Sequence, residues 1–322
     1  MRALRFEKFG DPSVLHIADL PDPSPGDGFA VVRVTAASIN PSDVKNVAGK
    51  MEGTTLPRTP GRDYAGVVER GPSEWIGREV FGTGGEIGYT IDGSHAEKLV
   101  LPVAALTPKP ARLSAAQAAS VGVTSVIAWL GLIEYAALQP GETVAVIGVG
   151  GGVGTAVAQI AKWRGASTII GADVLAPAAG SPAARSIDRY VPSDEHLTEA
   201  IRGATNGAGA DVVYDAVGGI TFEAALKSLA HLGRLVVMST VGRTRVEFDE
   251  RDFYHNESRI FGADSRKRDA GASAKLMVAM LPAFESGLLE APPIDRTVPL
   301  DQAIDAYARV AAGARDRFVL AP

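Results

Sequence analysis

The stretch of sequence that decides the fold is AVIGVGGGVGTAVAQIAKWRGASTIIGAD, residues 145–173. It begins within an apolar run, residues 143–147, that predicts a buried strand. Glycines then recur every three residues before a helix that we expect to extend to about residue 164. Glycines at this spacing permit a tight turn, let the backbone approach a pyrophosphate and pack the helix against the strand. The alternative is that they only make a tight strand–helix turn.

The helix that follows these glycines adds N–H groups and a partial positive charge, both of which favour an anion. The stretch therefore predicts a dinucleotide site. The residues that we expect to contact the cofactor here are Gly148, Gly151, Gly152, Val153 and Gly154.

An acidic residue ends the stretch, since Asp173 follows Gly154 by 19 residues. A carboxylate at this place accepts hydrogen bonds from both ribose hydroxyls of a dinucleotide. It would repel a 2′-phosphate by about 4 kcal/mol per charge pair at about 4 Å and an effective dielectric of about 20. The nearest basic residue downstream is Arg185. We therefore expect NADH as the preferred cofactor and NADPH as the second choice, unless Asp173 only caps a turn.

Strands and helices alternate beyond this point. Apolar strands are predicted at residues 167–171, 211–214 and 234–238, with a helix over 221–230. Continuous apolar strands separated by helices indicate a parallel sheet covered on both faces, the doubly wound or Rossmann architecture. Val217, Ser239 and Thr240 follow two of these strands and complete the predicted cofactor contacts.

The first hundred residues have a different pattern, with short strands predicted at 29–35, 64–69, 79–81 and 97–101 between prolines and glycines. This spacing is typical of a compact, barrel-like β domain. Ser114 can cap a helix that we expect to run to about residue 138. The last sixty residues predict helices at 272–287 and 300–312 and a terminal strand at 317–320.

The composition limits the function. A chain of 322 residues, 46% apolar and 21% charged, is long enough for two globular domains. The absence of cysteine excludes disulfides, thiolate nucleophiles, iron–sulfur clusters and cysteine-ligated zinc. A net charge of −5 argues against a nucleic-acid or membrane partner. The N-terminus carries charges and no apolar core of a signal peptide, so we expect a cytoplasmic protein with a small-molecule substrate.

Short motifs follow one another along almost the whole chain. They are AASINPSD (36–43), TPGRDYAGVVE (59–69), GREVFG (77–82), GSHAEKLVLP (93–102), the glycine turn, ADVVYDAVGG (210–219), LGRLVVMS (232–239) and NESRIFGA (256–263). This ordered series resembles the medium-chain dehydrogenase/reductase superfamily, and within it the zinc-free quinone oxidoreductase (zeta-crystallin-like) branch.

The resemblance implies an α/β protein with two domains. A GroES-like β-barrel catalytic domain would comprise residues 1–120 and 262–322, and a Rossmann nucleotide domain residues 121–261. The resemblance further implies a homodimer formed through edge strands of the nucleotide domains, and an active site in the cleft between the domains.

The residue types at the metal positions of the family argue against zinc. Where zinc-dependent relatives carry a cysteine ligand, this chain has Asn40, and their histidine–glutamate pair corresponds to Arg62 and Asp63. The five histidines lack ligand spacing. We therefore expect no metal site, and so no Lewis acid to polarise an alcohol oxygen.

Hydride delivery from NAD(P)H to an electrophilic carbon, as in a quinone or an α,β-unsaturated carbonyl, is the chemistry that fits this site. Donors are then needed for the carbonyl oxygen on which charge develops. The predicted catalytic residues are Asn40, Ser42, Lys45, Arg62 and Tyr64. Lys45 could donate the α-proton or be a solvated loop charge, Asn40 could be a turn former, and Arg62 could make structural ion pairs.

Two other functions remain open at this point. An enoyl-thioester reductase would need a basic patch for its carrier, for which Arg259, Arg266, Lys267 and Arg268 are available. Relatives often carry tyrosines after the asparagine, where this chain has Lys45 and Met51. Their replacement favours the third hypothesis, a non-catalytic nucleotide-binding sensor or structural protein.

Overall fold

The computed structural model of the chain describes residues 1–314 and 317–322. Its strands are β1 (Arg2–Arg5), β2 (His16–Asp19), β3 (Phe29–Ser38), β4 (Tyr64–Arg70), β5 (Glu79–Gly82), β6 (Lys98–Pro102), β7 (Thr107–Pro108), β8 (Thr143–Ile147), β9 (Thr168–Asp173), β10 (Arg189–Pro192), β11 (Ala210–Asp215), β12 (Leu229–Val237), β13 (Arg259–Gly262), β14 (Arg296–Pro299) and β15 (Phe318–Ala321).

Short helices connect many of these strands. They are α1 (Pro41–Val47), α2 (Ala115–Ala119), α3 (Gly122–Trp129), α4 (Gly152–Trp163), α5 (Pro182–Ser186), α6 (Leu197–Ala204), α7 (Phe222–Lys227), α8 (Glu250–His255), α9 (Ala270–Ser286) and α10 (Ala303–Ala311). The chain divides into two units. The first comprises Met1–Val123, Ser265–Glu285 and Pro293–Pro322, and the second Thr124–Asp264 and Ser286–Pro292.

The second unit is built on a parallel sheet with the strand order β10-β9-β8-β11-β12-β13. Neighbouring strands pair in parallel throughout, for example Val146 with Gly171 and with Tyr214. Ile147, Ile170 and Val213 lie in the core of this unit. The strand order reverses direction beside β8, so the predicted doubly wound sheet is confirmed. Because the strands are parallel, the turns after β8, β9, β11 and β12 all lie at one edge.

The first unit is built on strands in the order β14-β15-β3-β4-β5-β7, with β6 paired to β3. The pairs of β3 with β15, β4 and β6 are antiparallel, whereas β14 and β15 pair in parallel. Strands β1 and β2 form a separate two-stranded sheet. Leu4, Val32, Tyr64 and Leu99 are among the buried residues of one continuous core. The four short strands predicted in the first hundred residues are all present.

The single helix predicted from Ser114 to about residue 138 is wrong. Helix α2 ends at Ala119, α3 begins at Gly122, and a π-helix occupies Leu130–Tyr135. The separate start of α3 has a long-range cause, since the Val123 N–H in its first turn donates to the Asp63 carboxylate at 2.9 Å. No local pattern in the Ala-rich segment indicates this contact.

The helix predicted over 221–230 extends too far. Helix α7 ends at Lys227, and Leu229 already pairs with Ala210 at the start of β12. The Ala210 N–H donates to the Ser228 carbonyl at 2.9 Å. The helix therefore ends before residue 228, whose carbonyl accepts a hydrogen bond from the first residue of the neighbouring strand β11.

The apolar helices are short relative to a bilayer. Among the residues that the structure describes, no helix combines the length and the apolar character needed to cross a membrane.

Candidate active site

The glycine turn of the second unit has the geometry of an anion-binding loop. After β8, Gly148 takes a φ of +80°, and its N–H donates to the Ala172 carbonyl at 2.8 Å. A Cβ on Gly154 would lie 2.1 Å from the Gly148 carbonyl oxygen, so only glycine permits this close packing of α4 on the turn. The first hydrogen bond along α4 runs from the Thr155 N–H to the Gly151 carbonyl at 2.9 Å. The three preceding amides, 152–154, lie in the first helical turn, where N–H groups have no intrahelical partner.

Asp173 lies beside this turn at the end of β9. Its Oδ2 accepts the Gly150 N–H at 2.9 Å, and its Oδ1 accepts the Val174 N–H at 2.8 Å. The Tyr190 hydroxyl donates to the Asp173 main-chain carbonyl at 2.9 Å. A carboxylate has about four lone-pair sites, so two main-chain donors leave capacity for ribose hydroxyls. The residues present thus fit a dinucleotide.

Two further turns lie at the same edge of the sheet. Asp215 is buried, and its Oδ1 accepts the N–H groups of Val217 at 3.0 Å and Gly218 at 2.8 Å. A Cβ on Gly218 would lie 1.9 Å from the Ser239 carbonyl oxygen, and one on Gly148 would lie 3.0 Å from a Val217 methyl group. The structure therefore brings the predicted residue Val217 against Gly148, and it places Ser239 and Thr240 against Gly218 of the neighbouring turn. Asp215 was not among the predicted site residues, although its position directly after the predicted strand at 211–214 was a usable signal.

In the first unit, Asn40 lies between two aspartates. Its main-chain N–H donates to Asp43 Oδ2 at 2.7 Å, and its side-chain Nδ2 donates to Asp63 Oδ2 at 3.0 Å. Asn40 is only 5% exposed, and both aspartates are fully buried. We call Asn40, Asp43 and Asp63 the asparagine clamp. Asn40 precedes α1, and Asp43 occupies the third position of that helix, where a carboxylate can return a hydrogen bond to the preceding backbone.

The charges in the asparagine clamp are strongly perturbed. Burial raises the pKa of Asp43 to about 7, and the nearby Asp63 carboxylate contributes to the rise. Burial also raises the pKa of Asp63, against the lowering effect of the hydrogen bond from Asn40. The Arg62 guanidinium lowers the pKa of both groups. Carboxylates in such surroundings are typical of functional sites as well as of buried ion networks.

Arg62 and Tyr64 have main-chain partners within the first unit. The buried Arg62 guanidinium donates to the Gly84 carbonyl at 2.9 Å and to the hydroxyl and carbonyl oxygens of Ser265 at 3.3 and 3.4 Å. The Tyr64 hydroxyl donates to the Ala105 carbonyl at 3.2 Å inside the core, and burial raises the pKa of this tyrosine. These contacts favour structural roles, and the predicted catalytic roles of both residues stay predictions.

Comparison with known proteins decides the family. Residues 26–111 match the model of an alcohol dehydrogenase GroES-like domain, and residues 152–279 match that of a zinc-binding dehydrogenase. A zinc-type alcohol dehydrogenase-like protein of Schizosaccharomyces pombe is 34% identical, over 99% of this chain and 97% of its own length. The chain belongs to the medium-chain dehydrogenase/reductase superfamily.

Other members of the superfamily agree with this assignment. A quinone oxidoreductase of Homo sapiens is 28% identical over 99% of this chain and 97% of its own length. The crystal structure of an NAD-dependent alcohol dehydrogenase covers 100% of both chains with a TM-score of 0.87 and 29% identity. The predicted fold, a GroES-like β domain with a Rossmann sheet, and the predicted quinone oxidoreductase-like branch are confirmed. The chain is an oxidoreductase of the medium-chain type.

The remaining predicted residues of this medium-chain oxidoreductase lie on α1. Ser42 is half-buried, and its main-chain carbonyl accepts the Tyr89 hydroxyl at 3.5 Å. Lys45 is exposed, in the last turn of the same helix. Helix α1 thus brings Asn40, Ser42 and Lys45 into one short segment, with Asn40 the most enclosed of the three.

The structure also places the residues that stand at the family's metal positions. Asn40 and Asp63 are joined by their hydrogen bond, whereas the adjacent Arg62 contacts Gly84 and Ser265. Within residues 1–314 and 317–322, no group of three or more histidine, aspartate or glutamate side chains could hold a metal ion. His95 is buried in the core of the first unit, and the Tyr307 hydroxyl lies 2.8 Å from its Nδ1.

Proposed function

We propose that this protein is a zinc-independent, NAD(P)H-dependent reductase that transfers hydride to a quinone or an α,β-unsaturated carbonyl compound. The observation that carries the proposal is the 3.0 Å hydrogen bond between Asn40 and Asp63. It supports the proposal because an amide donor held by a buried carboxylate would then stand at the position where, by the resemblance, zinc-dependent relatives have a metal ligand. The names of relatives such as the human quinone oxidoreductase support the same substrate class.

The cofactor would be held by the second unit. When bound, NADH supplies a hydride from C4 of its nicotinamide ring. The amides of residues 152–154 would bind the pyrophosphate, aided by the positive end of the α4 dipole. Asp173 would accept hydrogen bonds from the ribose hydroxyls and so favour NADH. Val217, Ser239 and Thr240 would lie along the nicotinamide half.

The acceptor chemistry requires a donor for the developing negative charge. When hydride forms a C–H bond at the β-carbon, the C=C electron pair moves and charge collects on the carbonyl oxygen. An amide nitrogen carries two N–H groups, and the bond to Asp63 uses one of those on Asn40. We propose that the second N–H of Asn40 donates to the acceptor oxygen. A preorganised donor of this kind contributes about 2.7–4 kcal/mol to transition-state stabilisation.

The α-carbon must then receive a proton. Lys45 stays our predicted donor, and its exposure would let it exchange protons with solvent between turnovers. Ser42 stays a predicted donor to the acceptor oxygen, since its buried Oγ has no hydrogen-bond partner among the described residues. The product is the saturated carbonyl compound, or the hydroquinone when a quinone is the acceptor.

An acceptor panel tests this function. NADH and NADPH are offered separately with a quinone, a simple enone and an enoyl thioester, and cofactor absorbance is followed with a chelator present throughout. We expect turnover with the quinone or the enone, and we expect Asn40→Ala and Lys45→Ala to lose turnover while retaining cofactor binding. Cofactor binding without turnover of any acceptor would favour the non-catalytic sensor instead.

One observation favours the enoyl-thioester reductase as a second candidate. A pocket of about 460 Å³ after β12 is lined by Thr240, Gly242, Arg243, Thr244 and Arg245. Its two arginines could bind the phosphates of a coenzyme A tail. In the predicted patch, by contrast, Arg266 is stacked over the Tyr89 ring at 3.3 Å and donates to the Gly85 and Glu52 carbonyls.

The comparison that separates the two candidates uses one acyl group on two carriers. If the thioester is the substrate, Arg243→Gln should raise KM for crotonyl coenzyme A and leave KM unchanged for the phosphate-free N-acetylcysteamine thioester. Equal KM values for both carriers in the unmodified protein would argue against this candidate.

A further inference from the structure

Within the asparagine clamp, position 63 needs a side chain with two hydrogen-bond acceptors. Each oxygen of this carboxylate accepts an N–H group: Oδ1 from Val123 at 2.9 Å and Oδ2 from Asn40 Nδ2 at 3.0 Å. A carboxylate satisfies two donors at once because both of its oxygens are acceptors. An asparagine in the same place would present an NH₂ group to one of the two donors, and that contact would be repulsive.

The surroundings hold the Asp63 carboxylate in place. The residue is fully buried, and its main-chain carbonyl accepts the Ser94 hydroxyl at 2.7 Å. A Cβ on Gly122 would lie 2.5 Å from Asp63 Oδ1, so the backbone of residue 122 packs directly against this oxygen. With Oδ1 fixed in this way, the position of Oδ2 determines the orientation of the Asn40 amide.

The second aspartate of the clamp orients the main chain. Asp43 Oδ2 accepts the Asn40 N–H at 2.7 Å and so fixes the backbone from which the Asn40 side chain extends. Asn40 is therefore held at two points, its backbone by Asp43 and its amide by Asp63. Preorganisation of this kind is what a donor to a developing charge requires, because the donor then need not reorient during the reaction.

We propose that Asp63 is a positioning residue, which directs the second N–H of Asn40 at the acceptor oxygen and acts on the reaction only through Asn40. The proposal rests on the role assigned to Asn40 under the proposed function. Asp63 corresponds to a zinc ligand of zinc-dependent relatives, and the proposal gives it a role that needs no metal.

A double-mutant cycle with the full-length protein tests the proposal. Steady-state kinetics are measured for the unmodified protein, Asp63→Asn, Asn40→Ala and the double variant, with NADH and a simple enone. Misdirection of the donor should lower kcat about 10- to 100-fold in Asp63→Asn, with KM for NADH unchanged. In the Asn40→Ala background the same substitution should change kcat by less than about twofold, because the donor that it misdirects is absent.

A matched control separates positioning from general stability. Asp92 of the same unit also accepts several donors, namely Arg5, Arg58 and the Thr59 N–H, each at 3.0 Å. Asp92→Asn should lower the melting temperature without lowering kcat. If Asp63→Asn does not fold, Gly122→Ala replaces it, since its Cβ would displace Asp63 Oδ1.

The outcomes distinguish a failure of the positioning role of Asp63 from a failure of the role of Asn40. Equal losses from Asp63→Asn in both backgrounds, or no loss in the unmodified background, would overturn the positioning role while leaving the proposed function intact. An Asn40→Ala variant with full kcat would overturn the role of Asn40 and, with it, the role of Asp63. A loss confined to the background that retains Asn40 would support the proposal.

Discussion

Replacing Asp173 by serine should shift the cofactor preference from NADH towards NADPH. The carboxylate is held by the Gly150 and Val174 N–H groups at 2.9 and 2.8 Å, so it cannot turn away from a 2′-phosphate without losing both hydrogen bonds. Serine removes the negative charge and supplies a hydroxyl that can donate to the phosphate. The proposed cofactor site therefore predicts how much the preference between NADH and NADPH should change.

The size of the shift follows from two contributions. Charges about 4 Å apart repel by about 4 kcal/mol at an effective dielectric near 20 and by about 1 kcal/mol in bulk water. Asp173 is half-buried, so the relief on removing its charge lies between these limits. For NADH, the lost hydrogen bonds to a charged acceptor cost about 1.5–3 kcal/mol. Both contributions favour NADPH and together amount to at least about 2.5 kcal/mol. Since about 1.4 kcal/mol corresponds to a factor of ten, the ratio of kcat/KM for NADPH to that for NADH should rise at least about 60-fold.

The assay is initial-rate kinetics with each cofactor at a fixed, saturating concentration of acceptor. Asp188→Ser is the matched control, because Asp188 accepts the Ile169 N–H at 2.7 Å near the opposite end of β9. It should leave the cofactor ratio unchanged. If Asp173→Ser kept both its fold and the original ratio, Asp173 would not determine the cofactor preference, and our interpretation of the glycine turn would be wrong at this point.

Three further predictions concern binding, pH and assembly. Gly154→Ala should weaken NADH binding by at least about tenfold in a fluorescence titration, since its Cβ would lie 2.1 Å from the Gly148 carbonyl oxygen. Burial lowers the pKa of His95 to about 4 from 6.5. Between these two values the unfolded chain carries a proton on His95 that the folded chain does not, so this group makes the unfolding free energy rise with pH. Burial raises the pKa of Asp43 to about 7 from 3.8, so this group makes the unfolding free energy fall as the pH rises across that window. The two effects oppose each other, and Asp43→Asn should therefore make the unfolding free energy rise with pH between about 4 and about 7 more than it does in the unmodified protein, as measured in urea titrations. We also propose a homodimer through the edge strand β13, so Ile260→Lys, on a residue 37% exposed, should halve the mass measured by light scattering.

Each of these predictions has a contradicting result. Unchanged NADH affinity in Gly154→Ala would mean that the cofactor does not depend on the close packing of α4. Parallel stability profiles for the unmodified protein and Asp43→Asn would mean that the pKa of Asp43 is not raised in the folded chain. A monomeric unmodified protein, or a dimeric Ile260→Lys variant, would argue against assembly through β13.

Local sequence patterns correctly predicted the turns and strands that are determined by residues close together in the sequence. The turn after β8 follows from glycines that must pack against one another, as the 2.1 Å approach at Gly154 shows. The apolar runs of β8 and β11 are buried on both faces, so their composition alone identified the sheet. The predicted strand at 167–171 began one residue before β9 and stopped two residues before its end at Asp173.

The features that the sequence did not indicate depend on contacts between distant residues. The start of α3 is capped by Asp63, 60 residues away, which interrupts a segment whose composition favours one continuous helix. The Tyr307–His95 contact joins residues 212 positions apart. The asparagine clamp was only half visible: the pattern around Asn40 drew attention to that residue, but Asp43 and Asp63 acquire their importance from burial, which no spacing rule revealed.

The most direct test of the proposed hydride transfer is isotope transfer from NADH doubly deuterated at C4 to an enone, with the position of the label in the product determined by NMR. The proposed function predicts one deuterium at the β-carbon of a saturated carbonyl product and none at the α-carbon, whose hydrogen comes from solvent. Deuterium at the carbonyl carbon of an alcohol product, or a product without label, would contradict it.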